Sequence, residues 1–123
     1  MSKEVETGFF ECFPYDSFTA IKLIADELDL LKTPKISKQL YDCLEHFRHT
    51  SIIIDISKVT YIDSFGIHFL ASLKRKINNR ARDMIIICTS EDVLEVFNIL
   101  SMQKYFAIYN SYDHIRQPLS LIS

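Results

Sequence analysis

Three consecutive isoleucines, Ile52-Ile53-Ile54, stand between Ser51 and Asp55. A β-branched run this short and this continuous does not suit a strand with one wet face. It predicts a central strand over residues 51–56, covered on at least one face. Such a strand needs pairing neighbours and a layer packed over it, and the rest of the chain must supply both.

Helices for that layer are legible from spacing. Beyond a short loop the chain reads Asp63-Ser64-Phe65-Gly66, followed by Ile67, Leu70, Ala71, Leu73 (or Lys74) and Ile77. That spacing predicts a helix over residues 64–77, with Lys74, Arg75, Lys76, Arg80 and Arg82 near its dipole-negative end. Thr33-Pro34 predicts an N-cap and a first helical residue, followed by a stripe of Ile36, Leu40, Cys43, Leu44 and Phe47. Ser90 predicts the cap of a third helix, with Glu91 and Asp92 in its first turn and Val93, Val96, Phe97 and Leu100 facing inward.

Two apolar runs, residues 9–14 and 18–25, flank Tyr15-Asp16-Ser17 and read as an antiparallel hairpin. Residues 26–34 read as a loop. Residues 84–88 and 105–109 read as further strands, and the segment from Ser111 as a short helix interrupted near Pro118. The order β-β-α-β-α-β-α-β-α predicts an α/β domain. Its small mixed β-sheet would have four to five strands and an N-terminal hairpin, with about four helices packed mainly on one side. Residues 1–123 read as a single domain.

Composition excludes several functions. A net charge of −2 provides no basic field for direct nucleic-acid binding or a polybasic membrane patch. No apolar run is long enough to span a membrane, and the polar N-terminus does not read as a signal peptide. Three scattered cysteines, Cys12, Cys43 and Cys88, read as reduced thiols of a cytoplasmic protein.

The chemistry is sparse. The two glycines, Gly8 and Gly66, stand alone, which excludes Gly-rich phosphate loops and dinucleotide motifs. The nucleophile elbow is missing, because Ser64 is flanked at the glycine positions by Ile62 and Gly66. His46 and His49 suit a helix C-terminus better than a metal site. His68, four residues after Ser64, lacks the orienting group and oxyanion site a hydrolase needs. No metal, cofactor or enzymatic activity is expected. Ser64 has two readings. Either Ser64 or Asp63 caps the helix, or the hydroxyl is a working group at the end of a sheet strand, where sites in open sheets collect. Gly66 favours the second reading. It weakens the helix's first turn and would suit close approach of another chain.

Three segments together carry a resemblance: Asp26-Glu27-Leu28-Asp29 after the second strand, Ile52-Ile53-Ile54-Asp55, and Asp63-Ser64-Phe65-Gly66 opening a helix. With the closing stretch EVFNILSMQKYFAIY, residues 18–112 resemble the STAS domain, and specifically the anti-anti-sigma factors of bacterial partner-switching systems. This chain departs from the family in carrying Asn79-Arg80-Ala81-Arg82 at a turn that holds glycine, and Ser101-Met102 in place of Gly-Leu. It also has Phe65 after Ser64, where the family usually has a small residue, and His68 at a common glycine position.

The resemblance implies a STAS fold and the role of anti-sigma factor antagonist. The unphosphorylated form would bind an anti-sigma serine/threonine kinase of the histidine-kinase-like ATPase type and free a sigma factor. Phosphorylation at Ser64 would abolish binding, and a PP2C-type serine phosphatase would restore it. Partner binding falls by motif position to Asp29, Asp63, Ser64, Phe65 and Gly66. The alternative is a STAS scaffold or accessory module of a signalling or transport complex that is not phosphorylated.

Overall fold

The computed structural model describes residues 5, 6, 8–47, 50–79 and 82–115. In chain order the elements are β1 (Val5–Glu6), β2 (Phe10–Tyr15), β3 (Phe18–Leu23), β4 (Glu27–Leu28), α1 (Thr33–His46), β5 (Ser51–Asp55), β6 (Tyr61–Ile62), α2 (Ser64–Asn78), β7 (Met84–Ile87), α3 (Glu91–Ile99) and β8 (Ala107–Tyr109). Six strands form one mixed sheet in the order β1-β2-β3-β5-β7-β8. The first three pair antiparallel, and β3, β5, β7 and β8 run parallel. Asp16, at φ 55, turns the β2–β3 hairpin, a backbone state that aspartate tolerates better than most residues.

The isoleucine run lies between two partners: Ile53 faces Ala20 of β3 on one side and Ile85 of β7 on the other. Both of its faces are buried. Ile52 and Ile54 join the main core with Ile36, Leu40 and Leu44 of α1, Ile67, Leu70, Leu73 and Ile77 of α2, and Val93 and Phe97 of α3. All three helices therefore pack on one face. Ile53 points the other way into a smaller cluster with Phe18, Ala20, Ile87 and Ile115. Among the described residues, the helical turn of residues 113–115 packs on that second face through Ile115. Its entry is pinned by Tyr112, whose hydroxyl donates to Oδ2 of the buried Asp55 at 2.6 Å.

Four local expectations need correction. Thr33 does not cap α1. The N-cap is Lys32, which makes no side-chain cap bond, and the buried Thr33 Oγ1 has no partner among the described residues. Oδ1 of Asp29 instead accepts from Leu31 N and Lys32 N and closes the turn in front of the helix. Leu100 is exposed, because the helix ends there. Ser101 then turns left-handed at φ 58, and the side chain at position 100 leaves the inward stripe. Arg82 lines one pocket with Lys74 and Asn78 of α2, but it is not a solvent cation at that helix end. It is buried and donates to the carbonyls of Phe47 and Thr50 beyond α1. Residues 26–34 are not all loop, since they contain β4.

Candidate functional site

Two very short strands build the site. Glu27 of β4 pairs with Tyr61 of β6, and Leu28 with Ile62, in parallel. The pairing continues as Asp63 N donates to Leu28 O at 3.2 Å. It sets the β4–α1 loop directly beside the first turn of α2. Gly66 is the residue that permits this approach. A Cβ there would collide with the Leu28 carbonyl oxygen and lie 2.6 Å from Ile62 Cγ1. The close neighbour expected of this glycine is therefore the protein's own β4, not another chain.

Asp63 is the N-cap of α2. Its backbone is extended, and Oδ1 accepts from Phe65 N at 2.9 Å and Gly66 N at 3.1 Å. Its second oxygen reaches across to the other loop and accepts from Leu30 N at 3.1 Å. One carboxylate thus starts one helix and holds the approach to another. Asp29, one residue before Leu30, uses its own carboxylate on Leu31 N and Lys32 N. The two carboxylates converge on a single loop.

Ser64 follows as the first residue of α2. It is exposed, and its hydroxyl has no hydrogen-bond partner among the described residues. The capping question is thereby settled: Asp63 caps, and Ser64 is left presented to solvent. Phe65 beside it is 54 % exposed, and Leu30 and Leu31 across the loop are 53 % and 77 % exposed. A groove of about 210 Å³ runs between α1 and α2, lined by Leu30, Pro34, Tyr41, Phe65, His68 and Phe69 among others. Sequence reading missed Leu30 and Leu31. The available signal was a pair of adjacent leucines outside any periodic stripe.

The local field is acidic. Lys32 is the one cation between residues 26 and 32, and its ammonium is held by Asp26 at 3.0 Å and Glu27 at 3.5 Å. A helix N-terminus ordinarily welcomes an anion. Here Asp63 already occupies the N–H groups of Phe65 and Gly66. Two of the donors that a phosphate on Ser64 would otherwise meet are therefore taken by a carboxylate.

Other candidate residues lie elsewhere. His68 is exposed on α2 and lines the groove. His46 lies in the last turn of α1, and His49 is outside the described residues. Among the described residues no cluster of three or more His, Cys, Asp or Glu side chains is placed to hold a metal.

The STAS domain family pattern matches residues 16–115, from the β2–β3 turn to the closing helical turn. The chain belongs to the STAS domain family. The anti-sigma-B factor antagonist of Staphylococcus epidermidis is 23 % identical over 93 residues, covering 76 % of this chain and 84 % of that protein. Among solved structures, a Thermotoga maritima protein superposes with a TM-score of 0.77 at 16 % identity, covering 92 % of this chain and 96 % of its own. The anti-sigma factor antagonist SpoIIAA, in its unphosphorylated form, gives 0.68 at 18 % identity over 93 % and 99 % of the two chains. The phosphorylated form of SpoIIAA, from Bacillus, gives 0.60 at 19 % identity over 86 % and 96 %. The STAS fold thus spans the strands, the helices and the loop pair around Ser64.

Proposed function

We propose that this STAS domain is an anti-sigma factor antagonist switched at Ser64. The observation that carries the reading is the setting of Ser64. Its hydroxyl is exposed and unengaged among the described residues, at the first position of a helix capped by its neighbour. Relatives named as antagonists of anti-sigma factors support the role. In this reading the chain is a substrate and a switch, not a catalyst.

Unmodified, the surface formed by Ser64, Phe65, Leu30 and Leu31 docks an anti-sigma serine kinase, and a sigma factor goes free. Exposed Phe and Leu beside a polar acceptor suit such a surface, since large apolar side chains anchor interfaces. Asp29 and Asp63 shape the two loops, and Gly66 lets them approach. Phosphorylation adds about −1.5 to −2 charge. That charge arrives beside Asp63, whose oxygens already hold the nearest donors, and across from the β4–α1 loop, where Lys32 is engaged. The phosphate finds little local compensation and projects outward. It blocks docking by charge and bulk while α2 keeps its place. A PP2C-type serine phosphatase would restore the binding form.

The test is phosphopeptide mapping after incubation with the cognate anti-sigma kinase, paired with binding of Ser64→Ala and Ser64→Asp. Phosphate on Ser64, retained binding by S64A and at least a tenfold loss by S64D support the switch. Equal binding by both variants points instead to a scaffold module. A phosphorylated structure with α2 rearranged overturns the charge-and-bulk mechanism.

A further inference from the structure

Cys12 and Cys43 are remote in sequence, yet β2 and α1 bring their Sγ atoms to 3.1 Å. Cys12 is completely buried on the helical face of the sheet, and Cys43 is 8 % exposed on α1 above it. A disulfide bond is about 2.05 Å long, so about 1 Å of approach separates this pair from covalent closure. The pair is asymmetric. The hydrogen bond to Cys43, then burial, pushes the Cys12 thiol up, while the hydrogen bond from Cys12 holds the Cys43 thiol down. Cys43 is both the readier thiolate and the less completely buried residue of the two, and the thiolate is the form that reacts with oxidants. Cys88 differs. It is fully buried, its thiol is pushed up by desolvation, and its sulfur lies 3.8 Å from the Ser90 carbonyl oxygen.

We propose that Cys12 and Cys43 form a dithiol that hydroperoxides oxidise to an intramolecular disulfide. The Cys43 thiolate attacks one peroxide oxygen, and the O–O bond breaks. Cys43 becomes a sulfenic acid, and the departing hydroxide takes up the proton that Cys43 lost. The Cys12 sulfur then attacks the Cys43 sulfur. The S–S bond forms, the S–O bond breaks, and the sulfenic hydroxyl leaves with the Cys12 proton as water. In sum two thiols lose two hydrogens and two electrons, and hydrogen peroxide is reduced to two waters. The bond ties α1 to β2. The opposite end of α1 follows the loop held by Leu30 N and Asp63, so oxidation fixes the helix that leads from that loop.

The experiment treats the full purified chain with hydrogen peroxide. The remaining thiols are alkylated, and the products are mapped without reduction. The expected result is loss of two of the three alkylatable thiols, a linked Cys12–Cys43 peptide and full reversal by dithiothreitol. The transition temperature rises by about 10 °C. The Cys88→Ala variant should oxidise like the wild type, and Cys12→Ala should accumulate a dimedone-trapped sulfenic acid at Cys43. Three alkylatable thiols after treatment, a link involving Cys88, a disulfide between two chains, or irreversible sulfinic acid each overturn the proposal. The wild-type map decides the matter even where a cysteine variant fails to fold.

Discussion

Oδ2 of Asp63 accepts from Leu30 N at 3.1 Å, while Oδ1 of the same carboxylate caps α2. The helix start and the neighbouring loop therefore share one side chain. Asp63→Ala should remove the cap and the bridge together and destabilise the domain by about 2 kcal/mol. Asp63→Asn keeps a single acceptor oxygen, so it can serve the cap or the loop but not both, and about half of that loss is expected. Urea unfolding of the two variants measures the difference. Equal stability of Asp63→Ala and wild type would show that the bridge contributes nothing.

Gly66 sits under Leu28, and a methyl group there has nowhere to go. Alanine is worth about 1 kcal/mol over glycine inside a helix. The collision is with backbone, which cannot rotate away, so the expected net effect of Gly66→Ala is a loss of about 2 kcal/mol or more. The damage should be local to the β4–β6 pair. Amide exchange at Asp63, whose N–H is bonded to Leu28 O, should quicken. An unchanged Asp63 amide would contradict the close approach.

Ser101 ends α3 in the left-handed region at φ 58, with Met102 N donating to Phe97 O at 2.8 Å and Ser101 N donating to Asn98 O at 3.0 Å. That pair of bonds is the Schellman arrangement, which favours glycine at the position Ser101 holds. Ser101 is exposed, so its side chain has little packing to lose. Ser101→Gly should stabilise the domain by about 0.5–1 kcal/mol, read as a higher midpoint in thermal unfolding.

Tyr112 donates its hydroxyl to Asp55, and burial together with that carboxylate pushes its ionisation well above the usual tyrosine range. The folded state therefore holds the phenolic proton more tightly than the unfolded chain. The resulting stability is fully present below about pH 10, the unfolded value, and is lost as pH rises beyond it. Tyr112→Phe should cost about 1–2 kcal/mol at neutral pH and should flatten the alkaline fall. Parallel pH–stability curves for the variant and wild type would rule out this coupling.

Local pattern was enough for the main frame. The isoleucine run specified a central strand because continuous β-branched residues can be satisfied only between two covered faces. The α2 stripe emerged because a helix repeats its buried face every three to four residues, although Phe69, buried beside that stripe, escaped the pattern. Ser90 was readable as a cap because its partner, Val93 N, lies three residues away in the chain. The motif around Ser64 was equally visible, since it is contiguous.

Tertiary structure decided whatever depends on residues far apart in the chain. Strands β4 and β6 have two residues each, too few for any periodic signal, and each exists only because the other lies beside it. Their pairing chose Asp63 over Ser64 as the cap, gave Gly66 its reason in the Leu28 carbonyl, and set Leu30 against Asp63. It was also the fold that buried Arg82 against two carbonyls and brought Cys12 within reach of Cys43. Sequence alone fixes which face of each element is apolar, because that preference acts over one or two turns. Which polar groups meet across those elements is set by packing, because a buried donor or acceptor must find its partner wherever the chain happens to place one.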